Sequence, residues 1–429
     1  MKIIAILFIV LAVIKSSISN CYWSENCHYK HFSSKTPYQF VRGDIRDSIV
    51  KLKGCKAISV WSLVRHGKRN PGFRFAQSMI DLTTMKYDIK MNHENGKGSM
   101  CAQDVENLYN WEADPNMFKN LHQIAGEGYQ EMYGIGYRLR KTFKDLLKSL
   151  GDKDYKIRPA YGAWIENGVK GFVEGFGNTS MIIQKSNADY DIIAPYEACS
   201  FYRNEVRYNQ ETFAESYKYQ NSSEFLAVKH RIQKRTGADF TLSNRNITAL
   251  YDLCRFTSSG LNNELSPWCA IFNKEDFQVI EYEGDLRHFY RNGYGNPLNE
   301  IFGRIPLADL LESFKTAKNG KGKKLTVYFT HATMMDMVYS ALGLFKDQIP
   351  LNGTFRNPER KWRSSKIAPF AANLIVTLNR CSIDQSTDYN VVFYMNEEPL
   401  KSICNEGVCS WEDFEIKLNP FTNTTLAFC

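Results

Sequence analysis

The sequence predicts an α/β protein, a mixed sheet core flanked by helices and interrupted by a mostly helical cap insertion, on three observations. Two short runs rich in β-branched and aromatic residues, at 57–64 and 324–330, end abruptly, the first in a polar turn and the second at His331-Ala332 before a helical pattern, as buried strands that feed a crevice do. The stretch 128–150 repeats its apolar residues at helical spacing. Between about 176 and 314 the composition shifts to aromatics and helical patterns without a strong β-branched run. At 429 residues the chain exceeds a single typical core, and 43% hydrophobic with 23% charged residues excludes disorder as the main state. The formal charge of +8 favours anionic partners without choosing among them.

The elements follow in chain order. An apolar run, Ile3 to Ile14, follows Lys2 and leads into Ser16-Ser17-Ile18-Ser19, the layout of a secretory signal peptide over 1–19. That run is too short to span a bilayer, and no later one approaches the ~18 residues required, so a secreted, extracellular protein with no membrane span is expected. The eleven cysteines include no CxxC pair and read as disulfides, with Cys254/Cys269 and Cys404/Cys409 spaced to close small loops. An odd number leaves one thiol free or pairing with another chain. Cys21, Cys27, His28 and His31 are irregularly spaced for ligands, and no metal is expected. Sequons at Asn178, Asn221, Asn246, Asn352 and Asn423 are expected to carry glycans on a secretory route.

The core is assigned to 20–75, 130–175 and 315–429, and the helical cap to 76–129 and 176–314. Further strands are expected at 372–378 and 389–395, and helices at 211–219, 246–256, 276–291 and 334–344. The lysine-rich turn 315–324 lacks the GxxxxGK[ST] pattern, and Gly134-Ile135-Gly136 has no strand before it, so neither is a nucleotide loop. No cofactor and no nucleic acid is expected, and no pattern speaks to the oligomeric state.

The first strand runs into Arg65, His66, Lys68 and Arg69 around Gly67, four potential cations in one turn. Guanidinium forks match phosphate oxygens, and Gly67 permits close backbone approach. Two neighbouring arginines favour the neutral, nucleophilic form of His66. The other strand ends at His331, and ligands of open α/β sheets bind at the carboxyl ends of strands, so both histidines are expected at one site.

These residues carry a resemblance. Arg65-His66-Gly67-Lys68-Arg69-Asn70-Pro71 is similar to the RHGxRxP signature of the histidine acid phosphatases, and His331-Ala332 falls where their second motif stands. The HA form, with Ser266-Pro267-Trp268-Cys269, Gly293-Tyr294-Gly295 and the stretch 363–374, resembles the multiple inositol polyphosphate phosphatases in particular. The resemblance implies a histidine-phosphatase-like core, His66 as nucleophile, and Arg65, Arg69 and His331 around the phosphoryl group of a small anionic phosphorylated substrate. Lys68 is expected to join them.

Two positions depart from the pattern. Thr333 stands where the second motif continues into a glutamate, and Trp164 where a third phosphate-binding arginine belongs in a segment that begins at Arg158. Asp336, about one helical turn after Thr333, is the candidate substitute acid. The sequence therefore predicts a phosphomonoesterase that is slow or altered in specificity. The alternative is an impaired pseudoenzyme that binds inositol phosphates or other polyphosphorylated ligands.

Overall fold

The computed structural model describes residues 31–186, 192–259, 266–383 and 386–429. The expected signal peptide and the cysteines at 21 and 27, with His28, lie outside them; His31 pairs with Glu281, Nδ1 to Oε2 at 3.1 Å. Among the described residues one mixed sheet of seven strands runs β1 (Cys55–Arg65), β2 (Tyr155–Pro159), β3 (Leu325–Thr330), β4 (Asn373–Ile383), β5 (Ser386–Met395), β6 (Glu398–Pro399) and β7 (Val408–Ser410). The spatial order is β2-β3-β1-β4-β5-β6, with β7 also on β5. Among the described residues only β1·β3 and β2·β3 pair in parallel. β3 is buried along its whole length, as is β1 from Ser59 to Arg65, which is why both read as continuous apolar runs in the sequence.

β2 has no such run. Its Tyr155-Lys156-Ile157-Arg158-Pro159 alternates buried with half-buried residues at the sheet edge, where a proline and long cations are tolerated. The expected helix at 128–150 is α1 (Gly126–Thr142), ended by the non-helical Phe143 (φ −103°, ψ 39°) before a separate turn of helix at Lys144–Leu147. α2 (Ala163–Phe176) packs on α1 so closely that a Cβ on Gly136 would sit 2.1 Å from the Phe172 carbonyl oxygen. Helix contact accounts for Gly136.

In the inserted region α3 (Asn244–Thr257) and α4 (Lys274–Asn292) both begin in capping boxes, Ser243 with Asn246 and Asn273 with Asp276. α5 (Pro297–Lys318) crosses the expected boundary at 314 and lies on the sheet, where Asp309 accepts from Trp61 Nε1 and from the Tyr328 hydroxyl, each at 3.0 Å. α6 (Ala332–Ala341) follows β3 directly. Disulfides join Cys254 to Cys269 and Cys404 to Cys409 at the expected spacing, and Cys55 to Cys381 and Cys199 to Cys429 across long separations. No helix among the described residues is long and apolar enough to cross a membrane.

Candidate functional site

The parallel register brings the site together. Arg65 lies opposite Thr330 where β1 meets β3, so His66 and His331 leave the sheet side by side, ring centroids 6.1 Å apart. On the far side of β3, Pro159 pairs with Phe329, and the Ala160 N–H donates to the Phe329 carbonyl at 2.8 Å. The chain then turns at Gly162 (φ +143°) and starts α2, which puts Trp164 over the same edge, 6.3 Å from His66 and 6.0 Å from His331. This is the crevice at the carboxyl ends of parallel strands.

The turn after β1 is pressed against the start of α1. A Cβ on Gly67 would lie 2.2 Å from the Gly128 carbonyl oxygen, so the first motif depends on glycine for backbone contact. His66 is buried, with Nδ1 2.8 Å from the Gly67 carbonyl oxygen. A carbonyl only accepts, so that nitrogen carries the proton and Nε2 presents a lone pair. Burial, then Arg65, Arg69 and His331, hold the His66 pKa well below the ordinary imidazole value. His331 is lowered to about 3 by burial and then by Arg69, Arg207 and Arg65. Both rings are therefore neutral in mildly acidic water.

Arg65 is 2% exposed and donates through Nη1 to the Ser34 and Ala368 carbonyls at 2.5 and 2.6 Å, with its guanidinium 4.7 Å from the Phe370 ring centroid. Arg69 lies 5.7 Å from the Trp164 ring centroid and donates to the Asn70 carbonyl at 2.8 Å. The Nε atoms of both arginines are buried without a partner among the described residues. Burial lowers Arg65 to about 9 and Arg69 to about 10, so both stay cationic in acid.

Two expected site residues are directed elsewhere. Lys68 is turned into the protein: its Nζ meets Glu127 Oε2 at 2.5 Å and donates to the Ser258 carbonyl, while its N–H donates to Glu131 Oε2 at 2.8 Å. Successive residues of an extended turn point to opposite sides, which sends Lys68 away from the face that Arg69 occupies. Lys68 is thus a structural cation rather than a phosphate ligand. Lys68→Met should cost about 1–3 kcal/mol by taking the ammonium away from Glu127 and the Ser258 carbonyl, measured by urea unfolding, while phosphate affinity of the folded protein stays nearly unchanged. Loss of affinity without loss of stability would restore the expected role.

Asp336 is fully buried, its Oδ2 accepting from His288 Nδ1 at 2.6 Å and Asn292 Nδ2 at 2.9 Å on α4. α6 runs away from the crevice, so a residue three positions beyond Thr333 lies about 4.5 Å further along its axis. The expected substitute acid is held by α4.

The structure also assembles groups that no motif marks. Lys35 lies 5.8 Å from the Phe370 ring that Arg65 also faces, and burial followed by Arg65, Arg255 and Arg69 keeps its pKa well below the usual lysine value. The Tyr196 hydroxyl is 3.1 Å from His331 Nδ1. His122, with a left-handed backbone (φ +60°), faces Trp164 at 5.3 Å. None of the three sits at a strand end or in a spaced pattern, and each reaches the site through long-range packing. A separate cavity of about 300 Å³ is lined in part by Arg74, Arg245, Asp252 and Arg287.

Comparison with known proteins agrees with this layout. Residues 169–396 match the family described as the histidine phosphatase superfamily (branch 2). Multiple inositol polyphosphate phosphatase 1 of Drosophila melanogaster is 28% identical over 397 residues, covering 90% of this chain and 84% of that protein. Among solved structures, the phytase from D. castellii superposes with a TM-score of 0.71 at 18% identity, over 93% of this chain and 86% of that one. The multiple inositol polyphosphate phosphatase of Bifidobacterium longum in complex with inositol hexasulfate gives 0.68 at 17% identity, over 93% of this chain and 99% of that one. The mixed sheet flanked by helices is the fold these structures share.

Proposed function

The chain belongs to branch 2 of the histidine phosphatase superfamily, and from that premise we propose that it is a secreted phosphomonoesterase resembling multiple inositol polyphosphate phosphatase, acting through a phosphohistidine and slow or altered in specificity. The observation that carries this reading is the pairing of two neutral histidines with the buried Arg65 and the half-buried Arg69 at the ends of adjacent strands. The His66 Nε2 lone pair attacks phosphorus as the ester P–O bond breaks, and the leaving oxygen takes up a proton. Water then cleaves the P–N bond and restores His66. Arg65, Arg69 and His331 surround the phosphoryl oxygens, where preorganised positive charge stabilises the transition state most. Secretion agrees with the disulfides, and Asn221 and Asn423 are the most exposed of the five sequons.

A second reading has its own support. With Thr333 in place of the glutamate, Trp164 in place of an arginine and Asp336 committed to His288, a pseudoenzyme that binds polyphosphorylated ligands without turnover is the alternative. One assay separates them: phosphate release from an aryl phosphate and from phytate between pH 4 and 7, with calorimetric binding of phytate alongside. The enzyme reading expects release from the aryl phosphate, with the acidic limb of kcat/KM well below 6.5 because His66 stays neutral in acid. Binding with no release from either ester would establish the pseudoenzyme.

A further inference from the structure

We infer that Tyr196 is a positioning residue that holds His331 in the tautomer carrying its proton on Nε2, so that His331 donates to the phosphoryl group that His66 attacks. The inference rests on the phosphatase reading of the crevice. Because His331 is neutral, only one of its nitrogens bears hydrogen, and which one decides whether the ring presents a donor or a lone pair to an anionic oxygen. A lone pair there would repel the substrate.

The hydroxyl that faces Nδ1 has the chemistry to choose. Tyr196 is 1% exposed, and burial followed by Glu197 holds its pKa well above 10, so the phenol keeps its proton. Nδ1 of His331, 3.1 Å from the phenol oxygen, is the acceptor within reach of that proton. With the phenol donating to Nδ1, the one proton of the neutral ring stays on Nε2. The two histidines then have opposite tautomers: His66 is protonated on Nδ1 by its bond to the Gly67 carbonyl, and His331 on Nε2. One ring attacks while the other donates.

The segment that carries Tyr196 is built to stay still. Thr330, the residue before His331, donates its hydroxyl to the Ile193 carbonyl at 2.7 Å, tying the two histidine neighbours to one strand end. Cys199 is linked to Cys429, and the Tyr196 ring packs against Tyr202 and Phe302, centroids 5.9 and 6.5 Å away.

The test pairs nitrogen NMR with kinetics. In protein labelled with ¹⁵N-histidine and saturated with inorganic phosphate at pH 6, the His331 signals, identified by their loss in His331→Ala, should show a protonated Nε2 and an unprotonated Nδ1. Tyr196→Phe should give a mixture of tautomers and lower kcat on the order of 10²-fold, with little change in KM. In the His331→Ala background Tyr196→Phe should cause no further loss, since both act through one ring. A wild-type His331 protonated on Nδ1, or a Tyr196→Phe loss that persists at full size without His331, would overturn the inference. The wild-type spectrum decides even if Tyr196→Phe does not fold. A protein that shows the expected tautomer but no turnover would count against the phosphatase reading alone.

Discussion

Replacing His66 by alanine should lower kcat/KM for an aryl phosphate by about 10⁴-fold or more, because the attacking atom itself is removed. Wild-type protein denatured in alkali during turnover of a labelled aryl phosphate should retain label that acid then releases, the signature of a phosphorus–nitrogen bond to imidazole, and the variant should retain none. The geometry explains why Nε2 is the atom at stake: Nδ1 is occupied by the Gly67 carbonyl at 2.8 Å. Arg65, Arg69 and His331 survive in the variant, so inorganic phosphate should still raise its melting temperature, which separates lost chemistry from lost folding. Undiminished turnover, or a labelled residue other than His66, would remove His66 from the mechanism.

The second large effect concerns the leaving group. An aryl oxygen departs with little help, whereas the alkyl oxygens of phytate need a proton, and a missing general acid typically costs ~10²–10⁴-fold. With Thr333 at the position of the expected glutamate, aryl phosphates should be cleaved faster than phytate by about that factor. Thr333→Glu, on the first turn of α6 beside His331, should raise phytate turnover more than aryl phosphate turnover. Trp164→Arg should restore a phosphate contact, and the double variant should exceed the product of the single effects because the two groups act on one transition state. A wild-type kcat/KM for phytate on the order of 10⁴ M⁻¹s⁻¹ or more would mean that another group supplies the proton. Asp336→Asn would not be the first suspect then, since its carboxylate is bound by His288 and Asn292; Lys35 and His122 would be examined before it.

Most of what identifies the crevice is local and so was legible in the chain itself. β1 and β3 are buried enough to read as continuous apolar runs, the polar turn after β1 and His331 after β3 mark where they stop, and the short spacings of Cys254/Cys269 and Cys404/Cys409 left little choice of partner. The motif from Arg65 to Pro71 needs only seven consecutive residues to be recognised. β2 was missed for the converse reason: an edge strand half exposed to solvent carries lysine and arginine, and its apolar pattern is too thin to count.

What the amino-acid sequence determined by itself is therefore the fold class, the family signature and the placement of His66 and His331 at strand ends. Tertiary structure alone decided which way each polar side chain is used. Lys68 reads as a fourth phosphate ligand until Glu127 and the Ser258 carbonyl, brought from α1 and from just beyond α3, claim its ammonium. Asp336 reads as a spare acid until α4 presents His288 and Asn292 to it. Tyr196 and Lys35 have no pattern at all, and matter only because the chain returns them to His331 and Phe370. The physical reason is common to all four: a buried polar group goes where its charge or hydrogen can be satisfied, and those partners lie far away in sequence.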